Sequence, residues 1–227
     1  MPQQLGFDLP SQTALGRDNF FVAPSNALAT ALIDDWRNWS GAKLALTGPP
    51  GAGKTHLTHV WAALSGATII AATDLPDADV ASLAQSCVAI EDVPEIAGNA
   101  AAETSLFHLH NLVLADGNAL LVTGAPPVAQ WQIDLPDLAS RLSAATAVAL
   151  EPPDDTLLSA VLVKLLSDRQ LTPKPDLIPY LLARMDRSFA AAGDLIAALD
   201  AASLAQKKPV TRTLAAQVLD KPATDTR

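Results

Sequence analysis

The chain has 227 residues, 49% of them hydrophobic, enough for one large domain or a core with a small subdomain. Its 15 basic residues face 24 acidic ones for a formal charge of −9, which argues against broad electrostatic binding to DNA, a task that needs clustered Lys and Arg. A lone cysteine, Cys87, permits no intrachain disulfide; with no apolar run of about 18 residues and no signal-like N-terminus, the chain reads as a soluble cytoplasmic protein.

The first 24 residues read as irregular, punctuated by Gly6, Pro10, Gly16 and Pro24. Ser25 or Asn26 suits the N-cap of a helix whose apolar face would be Leu28, Ala31, Leu32 and Trp36. Residues 43–47 read as a short strand. They lead into Gly48-Pro49-Pro50-Gly51-Ala52-Gly53-Lys54-Thr55, which fits the pattern G-x-x-x-x-G-K-[ST]. Beyond it Leu57, Val60, Trp61 and Leu64 follow the i, i+3, i+4, i+7 spacing of a helix face. Residues 68–72, 87–90, 119–123 and 147–150 are apolar runs without alternation, as parallel strands covered on both faces should be. Helical stretches, around 105–115 for instance, lie between most of them. Strands alternating with helices predict an α/β fold with a parallel sheet. Glu151-Pro152-Pro153 ends that pattern. The spacing then predicts only helices: 155–169 with Leu158, Val161, Leu162 and Leu165 on its face, 176–185, 188–206 with Phe189, Ala192, Ile196 and Leu199 aligned, and 211–219 capped by Thr211. A frayed tail is expected from Lys221.

The glycine-rich loop carries the chemistry. Its glycines allow backbone N–H groups to converge on phosphate oxygens, and a helix starting near Gly53 adds its positive end. Lys54 would reach the β- and γ-phosphates, and the Thr55 hydroxyl would ligate Mg²⁺. After the apolar run Val88-Ala89-Ile90, Glu91 suits the metal and Asp92 suits the orientation of an attacking water. Two acids after a strand also make an ordinary solvated turn; the phosphate loop upstream tips the reading toward chemistry. Thr123 would either touch the γ-phosphate and the water or satisfy nearby backbone. Arg141 has a planar fork suited to a triphosphate in transfer, although by residue type alone it reads as a surface arginine. His108 and His110 are two apart and face different sides of a helix, and His56 and His59 have no acid or cysteine beside them, so no zinc site is expected.

Five segments resemble the DnaA-related AAA+ family: Asn19-Phe20-Phe21-Val22 with Pro24-Ser25-Asn26; Gly48 to Leu57, including Thr55-His56-Leu57; Ile90-Glu91-Asp92-Val93 with Ile96-Ala97-Gly98; Leu121-Val122-Thr123-Gly124-Ala125-Pro126-Pro127; and Leu135-Pro136-Asp137-Leu138-Ala139-Ser140-Arg141-Leu142. The last is the most specific and is similar to the arginine-finger segment of the family's regulatory branch, which inactivates the initiator DnaA. The resemblance implies an AAA+ P-loop base over residues 19–153 and a small all-helical lid over 154–220, with an N-terminal segment 1–18 and a tail 221–227. It implies bound ADP or ATP with Mg²⁺, adenine cradled by Phe21, Val22 and Asn26, phosphates held by Pro50, Gly51, Ala52, Gly53, Lys54, Thr55 and His56, and catalytic roles for Arg141 and Asp92. Gln4-Leu5-Gly6-Phe7-Asp8-Leu9 resembles the peptide by which that branch docks on the sliding clamp, the β subunit of DNA polymerase III. Leu5, Phe7 and Leu9 would be apolar anchors and Gln4 a polar guide. About eight residues follow Leu219, so the helix-turn-helix DNA reader of DnaA is expected to be missing.

Departures from the family pattern matter. Glu91 stands where the family often has Asp, Ala125 near an acidic sensor residue, and Ala190 at the sensor-2 arginine, with Arg187 nearly a turn earlier as a substitute. These losses imply tight nucleotide binding with weak or absent intrinsic hydrolysis. The resemblance thus implies a negative regulator of replication initiation with DnaA and the clamp as partners, and a homo-oligomer is compatible with it. The competing readings are a self-sufficient AAA+ ATPase and a non-catalytic adaptor that recruits DnaA.

Overall fold

The computed structural model describes residues 21–220. Among them five strands, β1 (Lys43–Thr47), β2 (Thr68–Ala71), β3 (Val88–Glu91), β4 (Leu120–Gly124) and β5 (Thr146–Ala149), form a parallel sheet in the order β2-β3-β4-β1-β5. Each expected strand is present within a residue of its predicted ends. Successive side chains point to opposite faces, and both faces are covered. Leu44, Leu46, Ala89, Leu121 and Val148 pack in one core with α1 (Ala27–Asp34) and α2 (Lys54–Ser65). Ala45, Val88, Ile90, Leu120 and Val122 pack in another, with α4 (Ala100–Ala115) and α5 (Pro136–Ser143). The short α3 (Val80–Leu83) leans on α4. Burial on both sides is why the central strands β3, β4 and β1 show no polar alternation, whereas the edge strands β2 and β5 are only partly covered.

Tryptophans join the first two helices. Trp61 of α2 is fully buried. It stacks on Trp39 with ring centroids 5.2 Å apart and meets Trp36 edge-on at 6.3 Å. Such pairs contribute about 0.5–1.5 kcal/mol each beyond their buried area. The buried face of α1 differs from the expected one: Ala29, Thr30 and Ile33 are buried, and Leu28 is 68% exposed. The Thr30 hydroxyl donates to the Asn26 carbonyl at 2.8 Å, which lets a polar residue share an apolar face. Leu64, expected on the buried face of α2, is 42% exposed near its end.

After β5, α6 (Asp155–Asp168), α7 (Leu177–Leu182), α8 (Phe189–Gln206) and α9 (Arg212–Leu219) enclose a core of their own, built from residues such as Leu158, Leu162, Leu181, Ile196, Leu199 and Leu214. Asp154, Ser188 and Thr211 cap α6, α8 and α9 by accepting the N–H of Leu157, Ala191 and Leu214. The predicted helix over 176–185 is shorter, because the N–H groups of Arg184 and Met185 both turn back to the Leu181 carbonyl. Among the described residues no helix is long and apolar enough to cross a membrane.

Candidate functional site

The glycine-rich loop connects the end of β1 to the first residue of α2. Gly51 (φ 74°) and Gly53 (φ 99°) are left-handed, a conformation that glycine adopts without a Cβ clash. Lys54 is only 9% exposed. Its Nζ donates to the carbonyls of Gly48 and Pro49 at 2.8 and 3.2 Å. Burial lowers its pKa, and the nearby charges of Asp92 and Glu91 act in the opposite direction. The first-turn amides of Lys54 and Thr55 have no acceptor within the helix, and Thr55 is exposed beside them. Pro50 is exposed and Ala52 buried. His56 is half-buried; burial, then His59, lowers its pKa, so its imidazole is neutral near pH 7.

Parallel pairing of β3 with β4 aligns Ile90 with Val122, which sets the next residues of both strands side by side. There the Thr123 hydroxyl, 1% exposed, accepts the Asp92 N–H at 3.1 Å. Asp92 itself is left-handed (φ 54°, ψ 47°), a conformation that Asp tolerates better than most residues. Thr123 therefore serves backbone at this point. One oxygen of Glu91, Oε1, is buried without a hydrogen-bond partner. An unpartnered buried carboxylate oxygen is costly, and a divalent cation would satisfy it. Glu91, the Thr55 hydroxyl, Lys54 and the free amides at the start of α2 form a donor set that fits a phosphate chain with Mg²⁺.

The helical subdomain reaches this loop. Phe189 N–H donates to the Gly51 carbonyl at 3.1 Å. A Cβ added at Gly51 would lie 2.4 Å from the Ser188 Cβ, and one at Gly53 would lie 2.9 Å from the Phe189 ring. The start of α8 thus rests on both glycines. Ala190 is exposed, and Arg187 ends on Asp155 of α6 at 2.8 Å.

The 21–26 segment is shaped by Asn26, which does not cap α1 with its side chain. Instead its Oδ1 accepts the Ala23 N–H at 2.8 Å, and its Nδ2 donates to the Phe21 carbonyl at 2.9 Å. Phe21 and Val22 are left 39% and 55% exposed. Glu151 N–H donates to the Ser25 carbonyl at 3.4 Å, tying this segment to the chain leaving β5. Gln4, Leu5, Phe7 and Leu9 lie outside the described residues.

Arg141 sits in the last turn of α5. Its guanidinium lies over the Phe107 ring of α4, 5.1 Å from the centroid, and its carbonyl accepts Lys43 Nζ at 2.7 Å. The loop feeding α5 is held by Glu103, 1% exposed. Glu103 Oε1 accepts the N–H of Gly98 at 2.9 Å and of Asp134 at 3.1 Å, and Oε2 accepts that of Leu135 at 2.7 Å. Residue-type reasoning missed Glu103, Lys43, Ser188 and Phe189. Glu103 did leave a signal: it occupies an apolar stripe with Ala102, Leu106, Leu109 and Val113, where an acid is out of place.

No protein-family model matches the chain. Domain III of the Thermotoga maritima replication initiation protein DnaA is similar in structure, with TM-score 0.77 and 18% identity over 94% of this chain and 100% of that one. DnaA from Aquifex aeolicus, bound to AMPPCP, gives TM-score 0.67 and 20% identity over 79% of this chain and 63% of its own. The FIGL-1 AAA domain in complex with ADP gives 0.61 and 16% over 88% and 79%. The chain therefore spans the whole of the domain III structure but only 63% of a longer DnaA chain. At these identities the likeness establishes the fold alone: a parallel α/β sheet followed by a helical subdomain, as in the DnaA domain III and FIGL-1 AAA structures.

Proposed function

We propose that the chain is a negative regulator of chromosomal replication initiation of the Hda type. It binds ADP or ATP with Mg²⁺, docks on the sliding clamp through residues 4–9, and presents Arg141 to ATP bound by DnaA, whose hydrolysis it stimulates. Its own nucleotide would be held by the amides from Gly51 to His56 and by Lys54, with Thr55 and Glu91 on the metal and the Phe21–Asn26 segment at the base. Bound Mg²⁺–nucleotide would supply the anionic chain that these donors lack.

The observation that carries the reading is where Arg141 lies relative to the chain's own phosphate loop. Its backbone is held by Lys43, the first residue of β1, whereas the loop follows Thr47, the last. Four strand steps at about 3.3 Å each separate these ends by about 13 Å. An arginine anchored at the far end of the strand is suited to a site on another subunit, as trans-acting arginines are. Arg187 would need to give up Asp155 to read a phosphate, and Ala190 brings no charge; both support weak or absent hydrolysis by the chain itself.

The test is turnover of DnaA-bound ATP with and without this protein and DNA-loaded clamp. Arg141→Ala should retain nucleotide and clamp binding and lose the stimulation; full stimulation by that variant would remove Arg141 from the mechanism. Deleting residues 4–9 should abolish the dependence on clamp. One observation favours a second reading: the Thr123–Asp92 hydrogen bond fixes an acid beside Glu91, as a self-sufficient ATPase needs. Robust turnover by the purified chain alone would select that reading, and DnaA binding without any change in hydrolysis would select an adaptor.

A further inference from the structure

We infer that Lys43 is a second working cation of the Arg141 site: it fixes the last turn of α5 and offers its own ammonium, beside the guanidinium, to the phosphates of a nucleotide held by a partner subunit. This rests on the reading of Arg141 as a trans-acting arginine.

Three observations lead there. First, the Lys43 ammonium donates to the Arg141 carbonyl at 2.7 Å. Carbonyls in the last turn of a helix have no acceptor role inside it and carry its negative end, so a cation there steadies the turn that bears the arginine. Second, neither cation is neutralised. Among the described residues, the ion pairs are Lys164 with Asp168 and Arg187 with Asp155, and no carboxylate meets Lys43 or Arg141. Lys43 instead has its pKa lowered by burial and then by the charge of Arg141. The charge of Arg141 is thus felt at Lys43 with no acid to offset it, and a polyanion would supply the missing counter-charge. Third, donors remain. An ammonium has three and only one is used here, while Arg141 rests on Phe107 through its face and keeps its five N–H groups for other acceptors. The neighbouring base, His110, is 2% exposed and adds no charge: its pKa is lowered to about 4 by burial, then Lys43, with Arg141 acting in the same direction.

Lys43 is only half-buried and belongs to neither apolar core, so its substitution leaves both intact. The experiment compares wild type, Lys43→Gln, Lys43→Arg, Arg141→Ala and the Lys43→Gln/Arg141→Ala double variant. Each full-length protein is assayed with DNA-loaded clamp and ATP-loaded DnaA, and its own ADP affinity is measured. Lys43→Gln should lower the maximal stimulated rate about tenfold, the loss of one charge-assisted hydrogen bond, with ADP affinity unchanged. Lys43→Arg should keep most of the stimulation, and the double variant should be no worse than Arg141→Ala. Wild-type stimulation by Lys43→Gln alongside an inactive Arg141→Ala would overturn the role of Lys43 and leave the arginine reading standing. A loss in Lys43→Gln matched by lost ADP affinity would also overturn it, since Lys43 would then act on the fold. Full stimulation by Arg141→Ala would sink the underlying reading instead.

Discussion

Gly51→Ala should uncouple the helical subdomain from the phosphate loop. Gly51 has φ 74°, where an L-residue is disfavoured by about 1–2 kcal/mol. The new methyl would stand 2.4 Å from the Ser188 Cβ, too close for either to remain in place, so the start of α8 must retreat. Retreat breaks the hydrogen bond from Phe189 N–H to the Gly51 carbonyl, 3.1 Å long, worth about 0.5–1.5 kcal/mol. Together these amount to about 1.5–3.5 kcal/mol, or a fall in Tm of roughly 3–14 °C for a chain of this size. Thermal unfolding would read the stability loss, and ADP titration should show weaker binding because the strained loop no longer holds its amides in the wild-type arrangement. Ser188→Gly supplies the control: it removes the clashing Cβ at the expense of a helix cap, and glycine is itself a fair cap that loses only a few tenths of a kcal/mol. The Gly51→Ala/Ser188→Gly pair should recover the part due to the clash and retain the backbone strain. Wild-type Tm and affinity in Gly51→Ala, or no recovery in the pair, would refute the argument that α8 seats on the loop.

Glu103→Gln puts an amide NH₂ where a carboxylate oxygen now accepts a backbone N–H, so at least one of three donors is left unpaired, at a cost of about 1–3 kcal/mol. Urea unfolding should show that loss, and amide exchange should speed up at Asp134 and Leu135; unchanged exchange there would exclude Glu103 as the anchor of the loop before Arg141. His110 makes stability sensitive to acid. Its pKa is about 4 against an ordinary 6.5, through burial first, then Lys43 and Arg141, with the Asn111 hydrogen bond opposing. Between those values the unfolded chain takes up a proton that the folded chain refuses, so stability falls as pH drops through this window and levels off below it. The loss reaches at most about 3 kcal/mol at 1.36 kcal/mol per pH unit. His110→Leu should be less acid-sensitive than wild type between pH 7 and 4.5 in urea melts, and an identical slope in the two proteins would contradict the assignment.

What could be read along the chain is what neighbours in sequence encode. The glycines of the phosphate loop, the apolar runs of the five strands and the helical spacing after Pro153 all express backbone dihedrals or a period of a few residues. Those signals suffice for a parallel sheet, a glycine-rich loop between its first strand and the next helix, and a set of closing helices. They placed the face of α1 wrongly, because a threonine bonded to the Asn26 carbonyl can be buried like an apolar residue. The contacts that organise the site join residues far apart: Lys43 to Arg141 across 98 positions, Glu103 to Asp134 and Leu135 across 31 and 32. Ser188 over Gly51 and Asp155 beneath Arg187 are of the same kind. Which side chain meets which carbonyl at that range is settled only when strand order and helix packing bring them together, and so Arg141 could be singled out from its segment, while the groups that hold it in place could not.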